Sequence, residues 1–218
     1  MIRSWRSSRP ISVEFVAYID RLAPQTPPWD VSVAAVDRLS GDRQPLSVHL
    51  YEDPRCPACA SFEQTVGESV NKGMEDGDYK LSFTLGTFLD GNLGGEGSKK
   101  GVSALGAALN VSTDAFLEFK TALYSTKYHP KESTDDLAKD SYLIKVANTV
   151  DALKNNKKFQ DAVKKGTYDA WAMRMSKTFD DAKGVDSTPT IKINDKVIKN
   201  PSTVDEWQKA LKDAGVTK

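Results

Sequence analysis

Cys56 and Cys59 are the only cysteines in 218 residues, and they stand three apart with Pro57 and Ala58 between them. That pair constrains the chain more than any other feature. It follows an alternating apolar run, Leu46-Ser47-Val48-His49-Leu50-Tyr51, and opens a segment whose apolar positions recur at helical spacing. A strand therefore delivers two thiols to the first turn of a helix. Thiol-disulfide exchange needs an ionised attacking thiol with its partner within bonding distance, and this arrangement supplies both.

Helix entry separates the two sulfurs. With Cys56 as N-cap, Pro57 falls at the first helical position, where its missing N–H costs nothing. The Cys56 sulfur then stands where a capping side chain accepts backbone N–H groups, near the positive end of the helix dipole, and both effects favour thiolate. Cys56 is the expected nucleophile. Cys59 lies one turn in, on the face of Phe62, Val66 and Val70, so it should be more buried and ionise later, as a resolving thiol does. Other uses of a C-x-x-C pair remain. Zinc needs four ligands, and only His49 and His129 could add to the sulfurs, neither at finger spacing. A soft-metal carrier or two core cysteines would need no further ligand signal.

Lysine plus arginine balance aspartate plus glutamate at a net charge of zero, so no electrostatic footprint for nucleic acid or an anionic membrane shows over the whole chain. With both cysteines in the motif there is no structural disulfide framework from which to infer a compartment. Arg3, Arg6 and Arg9 could pass for the basic start of an export signal. The apolar stretch that follows is interrupted by Glu14 and ends at Asp20, so no secretory core or membrane span is expected there.

Along the chain, residues 1–30 read as an N-terminal extension, with a short amphipathic helix from Val13 to Leu22 and a stiff linker, Pro24-Gln25-Thr26-Pro27-Pro28. Strands are expected at Val31 to Val36, Leu46 to Tyr51 and Lys80 to Phe88, with a turn at Ser40-Gly41-Asp42. The motif helix should run from Pro57 to about Lys72 and stop at Gly73. Strand, helix, strand in this order implies a right-handed crossover and a parallel pair. Gly91 to Gly97 lacks any phosphate-loop spacing and reads as a flexible connection. Residues 98–183 read as helical throughout: Val102 to Leu109, Thr113 to Tyr124, Asp135 to Leu153, Lys157 to Lys165 and Tyr168 to Ala182. Trp171, Met173 and Met175 read as core positions. After Gly184 come a strand from Thr188 to Ile193, a turn at Asn194-Asp195, a strand from Lys196 to Ile198, and a helix from about Thr203 to Ala214 with Val204, Trp207 and Leu211 on its buried stripe.

Taken together, these elements resemble the thioredoxin superfamily, specifically its DsbA-like oxidoreductases, in which a helical domain interrupts the core. The resemblance rests on Tyr51-Glu52-Asp53-Pro54-Arg55-Cys56-Pro57-Ala58-Cys59 and on Val185-Asp186-Ser187-Thr188-Pro189-Thr190, and covers about Val31 to Ala214. It implies an α/β thioredoxin-like fold with a core of residues 31–97 and 184–218 and an inserted helical domain at 98–183. It also implies a cis Pro189 beside the active cysteines, with Thr188 offering backbone hydrogen bonds to an extended client peptide. A proline heading a strand is physically consistent with this.

Two positions depart from the family pattern. The buried carboxylate often found six positions before the first cysteine is replaced by Leu50, leaving Glu52 as the nearest acid. The dipeptide Pro57-Ala58 lacks the histidine of the strongly oxidising type, so a weaker oxidant is expected. The expected activity is donation of a disulfide to folding exported proteins. A reductase or isomerase using the same cysteines is the alternative, which a threonine before the cis-proline also resembles, and a non-catalytic module holding a metal or a peptide is a third reading. No cofactor is expected. Partners would be thiol-bearing client proteins and, by resemblance, a quinone-linked membrane oxidoreductase. A disulfide donor has work only where disulfides persist, so an extracytoplasmic location is expected, with Met1 not the natural start of an export signal.

Overall fold

A computed structural model describes residues 31–33 and 46–216. The expected N-terminal helix, the proline-rich linker, residues 34–36 and the turn at 40–42 lie outside the described residues. Among the described residues five strands form one sheet in the order β1-β3-β2-β4-β5: β1 Val31–Val33, β2 Leu46–Glu52, β3 Tyr79–Leu85, β4 Thr190–Ile193 and β5 Lys196–Ile198. β2 and β3 are parallel, in register from Leu46 opposite Tyr79 to Glu52 opposite Leu85, as a strand-helix-strand crossover requires. β1 runs antiparallel to β3, β4 to β2 and β5 to β4. β2 is thus central, and its C-terminal end carries the cysteine motif.

The helix that follows β2 differs from expectation in two ways. It begins at Pro57 as anticipated, but α1 (Pro57–Phe62) passes through a π-helical turn at Glu63–Gly67 into α2 (Glu68–Asp76). Its stop is Gly77, not Gly73. Gly77 adopts φ 82, and the Asp78 N–H returns to the Gly73 carbonyl at 2.9 Å, closing the last turn. Gly73 serves close approach instead: a Cβ there would lie 2.6 Å from the Tyr79 hydroxyl, which donates to the Val70 carbonyl.

Between β3 and β4 come α3 (Phe88–Leu93), α4 (Gly97–Leu109), α5 (Thr113–Tyr124), a 3₁₀ turn at Asp136–Ala138, α6 (Asp140–Ala147), α7 (Lys157–Lys165) and α8 (Asp169–Asp180). The glycine-rich stretch is a tight joint, contrary to the flexible connection expected. Its first residues are helical, Gly94 and Gly95 take positive φ, and Asp90 accepts from the Ser98 and Lys99 N–H groups at the start of α4. β3 accordingly ends before Gly86, and Phe88 belongs to α3. The long helix expected from Asp135 to Leu153 is broken where Lys139 turns extended, and it unwinds after Ala147 into a loop that Asn148 closes by accepting from the Asn155 N–H. Trp171 and Met175 are buried, whereas Met173 is exposed, as its position off the α8 stripe demands.

α9 (Val204–Asp213) ends the described fold, with Thr203 as its cap, accepting from the Glu206 N–H at 3.2 Å. Trp207 and Leu211 are buried, but Val204 is exposed together with Asp205 and Glu206 in the first turn of α9. Trp207 meets the Tyr79 ring edge-on at 6.0 Å, and the alternate β2 residues Val48 and Leu50 join Phe62, Val66 and Val70 in the main core. Among the described residues no helix is long and apolar enough to cross a membrane.

Candidate active site

Cys56 caps α1 with an extended backbone, and its Sγ accepts from the Cys59 N–H at 3.3 Å. Pro57 occupies the first helical turn, as expected, and Pro57 and Ala58 are exposed beside the sulfur. From the opposite side the Thr188–Pro189 peptide bond is cis and heads β4, and the Cys56 thiol donates to the Thr188 carbonyl at 3.5 Å. Two segments separated by more than a hundred residues therefore meet at one sulfur. Both cysteines are free thiols.

Their surroundings make the two thiols unequal. The Cys59 thiol donates to the Cys56 sulfur and lowers its pKa from 9.0 to about 6; burial opposes this, and the Thr188 hydroxyl and the Cys59 and Ala58 N–H groups assist it. Burial instead pushes the Cys59 thiol well up, reinforced by its role as donor to Cys56 and by the nearby Glu52 carboxylate. Cys59 shares a small cluster with Cys56, Ala60 and Tyr124.

Glu52 is fully buried at the end of β2, on the same side as Val48 and Leu50. Strand alternation thus supplies, two residues beyond Leu50, the acid that the six-residue spacing lacks. The Lys120 ammonium of α5 lies 3.1 Å from Glu52 Oε2 and 2.6 Å from Glu63 Oε2, and the Thr121 hydroxyl donates to Glu63 Oε1. Geometry favours Glu63: Lys120 and Thr121 both donate to it, while Glu52 meets Lys120 at the longer distance and no other donor. Burial raises the Glu52 pKa to about 7, with Lys120 opposing and Glu63 adding to the rise. Glu63, despite its burial, is held below the ordinary carboxylate value by Lys120 and Thr121. One lysine between two acids leaves Glu52 as the group able to gain and lose a proton near neutrality.

Lys120, Glu63 and Tyr124 had no place in the sequence reading. Lys120 did carry a signal, because Phe116, Phe119, Lys120, Leu123 and Tyr124 form one buried helical stripe and a lysine in such a stripe needs a buried partner. Arg55, just before the nucleophile, was quoted only as part of the motif. Its side chain is buried, donating to Asp90 at 3.0 Å and to the Gly94 carbonyl at 2.7 Å, with Asp135 at 3.4 Å. Asp53 is saturated by the Arg55 N–H, the Ser98 hydroxyl and the Leu89 N–H. The two histidines weighed as metal ligands have other partners: His49 Nε2 is 2.8 Å from Thr84 Oγ1, and His129 stacks on Tyr124.

The sequence matches the family model for Thioredoxin over residues 37–213. It is 28% identical over 180 residues to disulfide bond formation protein D of Bacillus subtilis, covering 79% of this chain and 74% of that protein. Among solved structures, oxidised DsbA from Mycobacterium tuberculosis aligns with a TM-score of 0.70 at 25% identity, covering 85% of this chain and 93% of that one. The reduced disulfide bond oxidoreductase DsbG from the same organism aligns with a TM-score of 0.71 at 24% identity, covering 86% and 89%. These likenesses show the α/β core with its helical insertion.

Proposed function

Because the chain belongs to the thioredoxin family, as one of its DsbA-like thiol-disulfide oxidoreductases, we propose that it donates the Cys56–Cys59 disulfide to folding exported proteins. The inequality of the two thiols carries this reading. A client thiolate attacks Cys56 Sγ, the Cys56–Cys59 bond breaks, and Cys59 leaves with the electron pair and takes a proton from Glu52. A second client thiolate then attacks the client sulfur of the mixed disulfide, and Cys56 departs as a thiolate. Two electrons pass from the client pair to the enzyme pair, and the client gains the disulfide. A thiolate favoured at Cys56 stabilises the reduced enzyme, which is what makes a disulfide a good oxidant.

Thr188 and Pro189 receive the client backbone in this reading, which the Thr188 carbonyl facing Cys56 Sγ supports. Pro57 and Ala58, exposed at the helix start, lie under any bound client. The name of the B. subtilis relative, disulfide bond formation protein D, supports the donor direction and, with it, work outside the cytoplasm. A quinone-linked membrane oxidoreductase is the proposed source of oxidising equivalents.

Titration against glutathione tests the direction. The pair should equilibrate above thioredoxin's potential of about −270 mV and, lacking a histidine between the cysteines, below the value of about −120 mV of the strongest donor. A potential near the low end would make the enzyme a reductase. A Cys59→Ala chain should accumulate mixed disulfides with thiol-bearing clients through Cys56, and failure to trap any would leave a binding module.

A further inference from the structure

We propose that Asn200 is a positioning residue for client recognition: its side-chain amide holds the Pro189 carbonyl and so keeps the Thr188–Pro189 loop in the shape that a client backbone meets. This role rests on the reading above for the place of the client and on the structure for the hold. Three successive carbonyls lead into β4, and each accepts from a side chain. The Thr190 hydroxyl donates to the Ser187 carbonyl at 2.6 Å, the Cys56 thiol to that of Thr188 at 3.5 Å, and Asn200 Nδ2 to that of Pro189 at 2.5 Å.

These bonds stand where the sheet stops. β4 is in register with β2 as far as Thr190 opposite Tyr51, and with β5 as far as Ile191 opposite Ile198. Continuing the second register by two residues sets Asn200 opposite Pro189. Pro189 has no N–H, so the reciprocal pair of backbone bonds that an antiparallel ladder makes is impossible there, and the Asn200 side chain supplies a donor in its place. The backbone that carries Asn200 is anchored on both sides. Ile198 packs against the main core, Pro201 is buried, and Glu206 Oε2 accepts from the Ser202 N–H and hydroxyl at the start of α9. Asn200 itself is exposed, so its amide reaches the loop from the surface.

Proline carries the hold one peptide further. Its ring locks φ, so between the Pro189–Thr190 plane that Asn200 grips and the Thr188–Pro189 plane only ψ of Pro189 is free, and the Thr190 hydroxyl on the Ser187 carbonyl restrains that rotation from the far side. The middle bond differs from its neighbours. Cys56 gives up its thiol proton when it ionises or joins the disulfide, and it then has nothing to donate to Thr188. The two outer bonds use an amide and a hydroxyl, neither of which titrates near neutrality, so they persist. They leave the Thr188 carbonyl aimed and open, as an N–H of an extended client requires.

The test compares the oxidised full chain with its Asn200→Ala variant in reaction with a peptide dithiol and with dithiothreitol, which has no backbone to receive. KM for the peptide should rise about fivefold with kcat nearly unchanged, while the rate with dithiothreitol falls by less than about twofold. A peptide KM left in place, a loss shared equally by dithiothreitol, or a wild-type chain that does not saturate with peptide overturns the proposal. The donor reading fails separately, by a low potential in the redox titration. In that case the same comparison is made with the reduced chain, using a disulfide-bearing peptide against oxidised dithiothreitol. If Asn200→Ala does not fold, the labelled Asn200 side-chain amide of the wild-type chain serves: its signals should move when a copy of the peptide with serine for cysteine binds, and signals that stay in place overturn the proposal equally.

Discussion

Two buried charge clusters flank the cysteine motif, and they differ in how completely their polar atoms are satisfied. Around Asp53 and Arg55 most hydrogen bonds are made: Asp53 has three donors, and Arg55 donates to Asp90 and to the Gly94 carbonyl in the glycine-rich joint, with Asp135 Oδ1 held by an ion pair alone. Around Glu52 fewer are made: Lys120 is shared between Glu63 at 2.6 Å and Glu52 at 3.1 Å, and no other donor reaches the Glu52 oxygens. A satisfied network fixes a geometry; an unsatisfied acid beside a thiol can take and give a proton. The first cluster holds the strand-to-motif junction against the helical insertion, and the second lies beside Cys59.

The sharpest way to break this contrast is Lys120→Met. It strands two carboxylates in the core and should cost about 3–5 kcal/mol in urea unfolding at neutral pH, with part of the loss recovered in acid as the carboxylates protonate. Glu52→Gln should do the reverse, leaving the folded state nearly as stable while slowing Cys59-dependent exchange about a hundredfold in stopped-flow reduction. Asp53→Asn sharpens the difference from the other side. Three donors would then face an amide, so stability should fall by about 2 kcal/mol, with the alkylation midpoint of Cys56 unchanged.

Stability should also depend on pH. Glu52 and Asp53 have pKa values raised from 4.5 to about 7 and from 3.8 to about 6, mainly by burial. The folded chain binds those protons more tightly than the unfolded one, so each stabilises the fold in acid and loses that contribution as pH rises through its window. Cys56 has the opposite sign. Its pKa falls from 9.0 to about 6, so the reduced protein gains stability between those values while the unfolded thiol is still protonated. Urea midpoints of oxidised and reduced protein should therefore diverge above about pH 6, and parallel curves would remove the thiolate from the account.

What the sequence revealed follows from the range of each interaction. The N-cap role of Cys56, Pro57 in the first turn and Thr188-Pro189 heading β4 depend on neighbours within a few residues, and the structure has them as read. Gly73 misled because glycine stops a helix or admits a close neighbour, and only Tyr79 decides between those uses. The glycine-rich segment misled similarly: composition suggested looseness, but Asp90 and Arg55 tie it down. Glu52 could be placed beside Leu50 by alternation alone. That Lys120 would stand between Glu52 and Glu63 needed a contact across more than fifty residues, which no local pattern carries.

The π turn has a consequence for variation. It sets Glu63 and Gly67 against each other, so closely that a Cβ at position 67 would lie 2.7 Å from the Glu63 carboxyl carbon and 2.8 Å from Oε2. Any side chain at 67 must displace that carboxylate from Lys120, and Lys120 would then be left to Glu52 alone. In a library of active variants the two positions are therefore epistatic: substitutions at 67 should survive only with a shortened residue at 63, and they should tune the acid beside Cys59 without touching it.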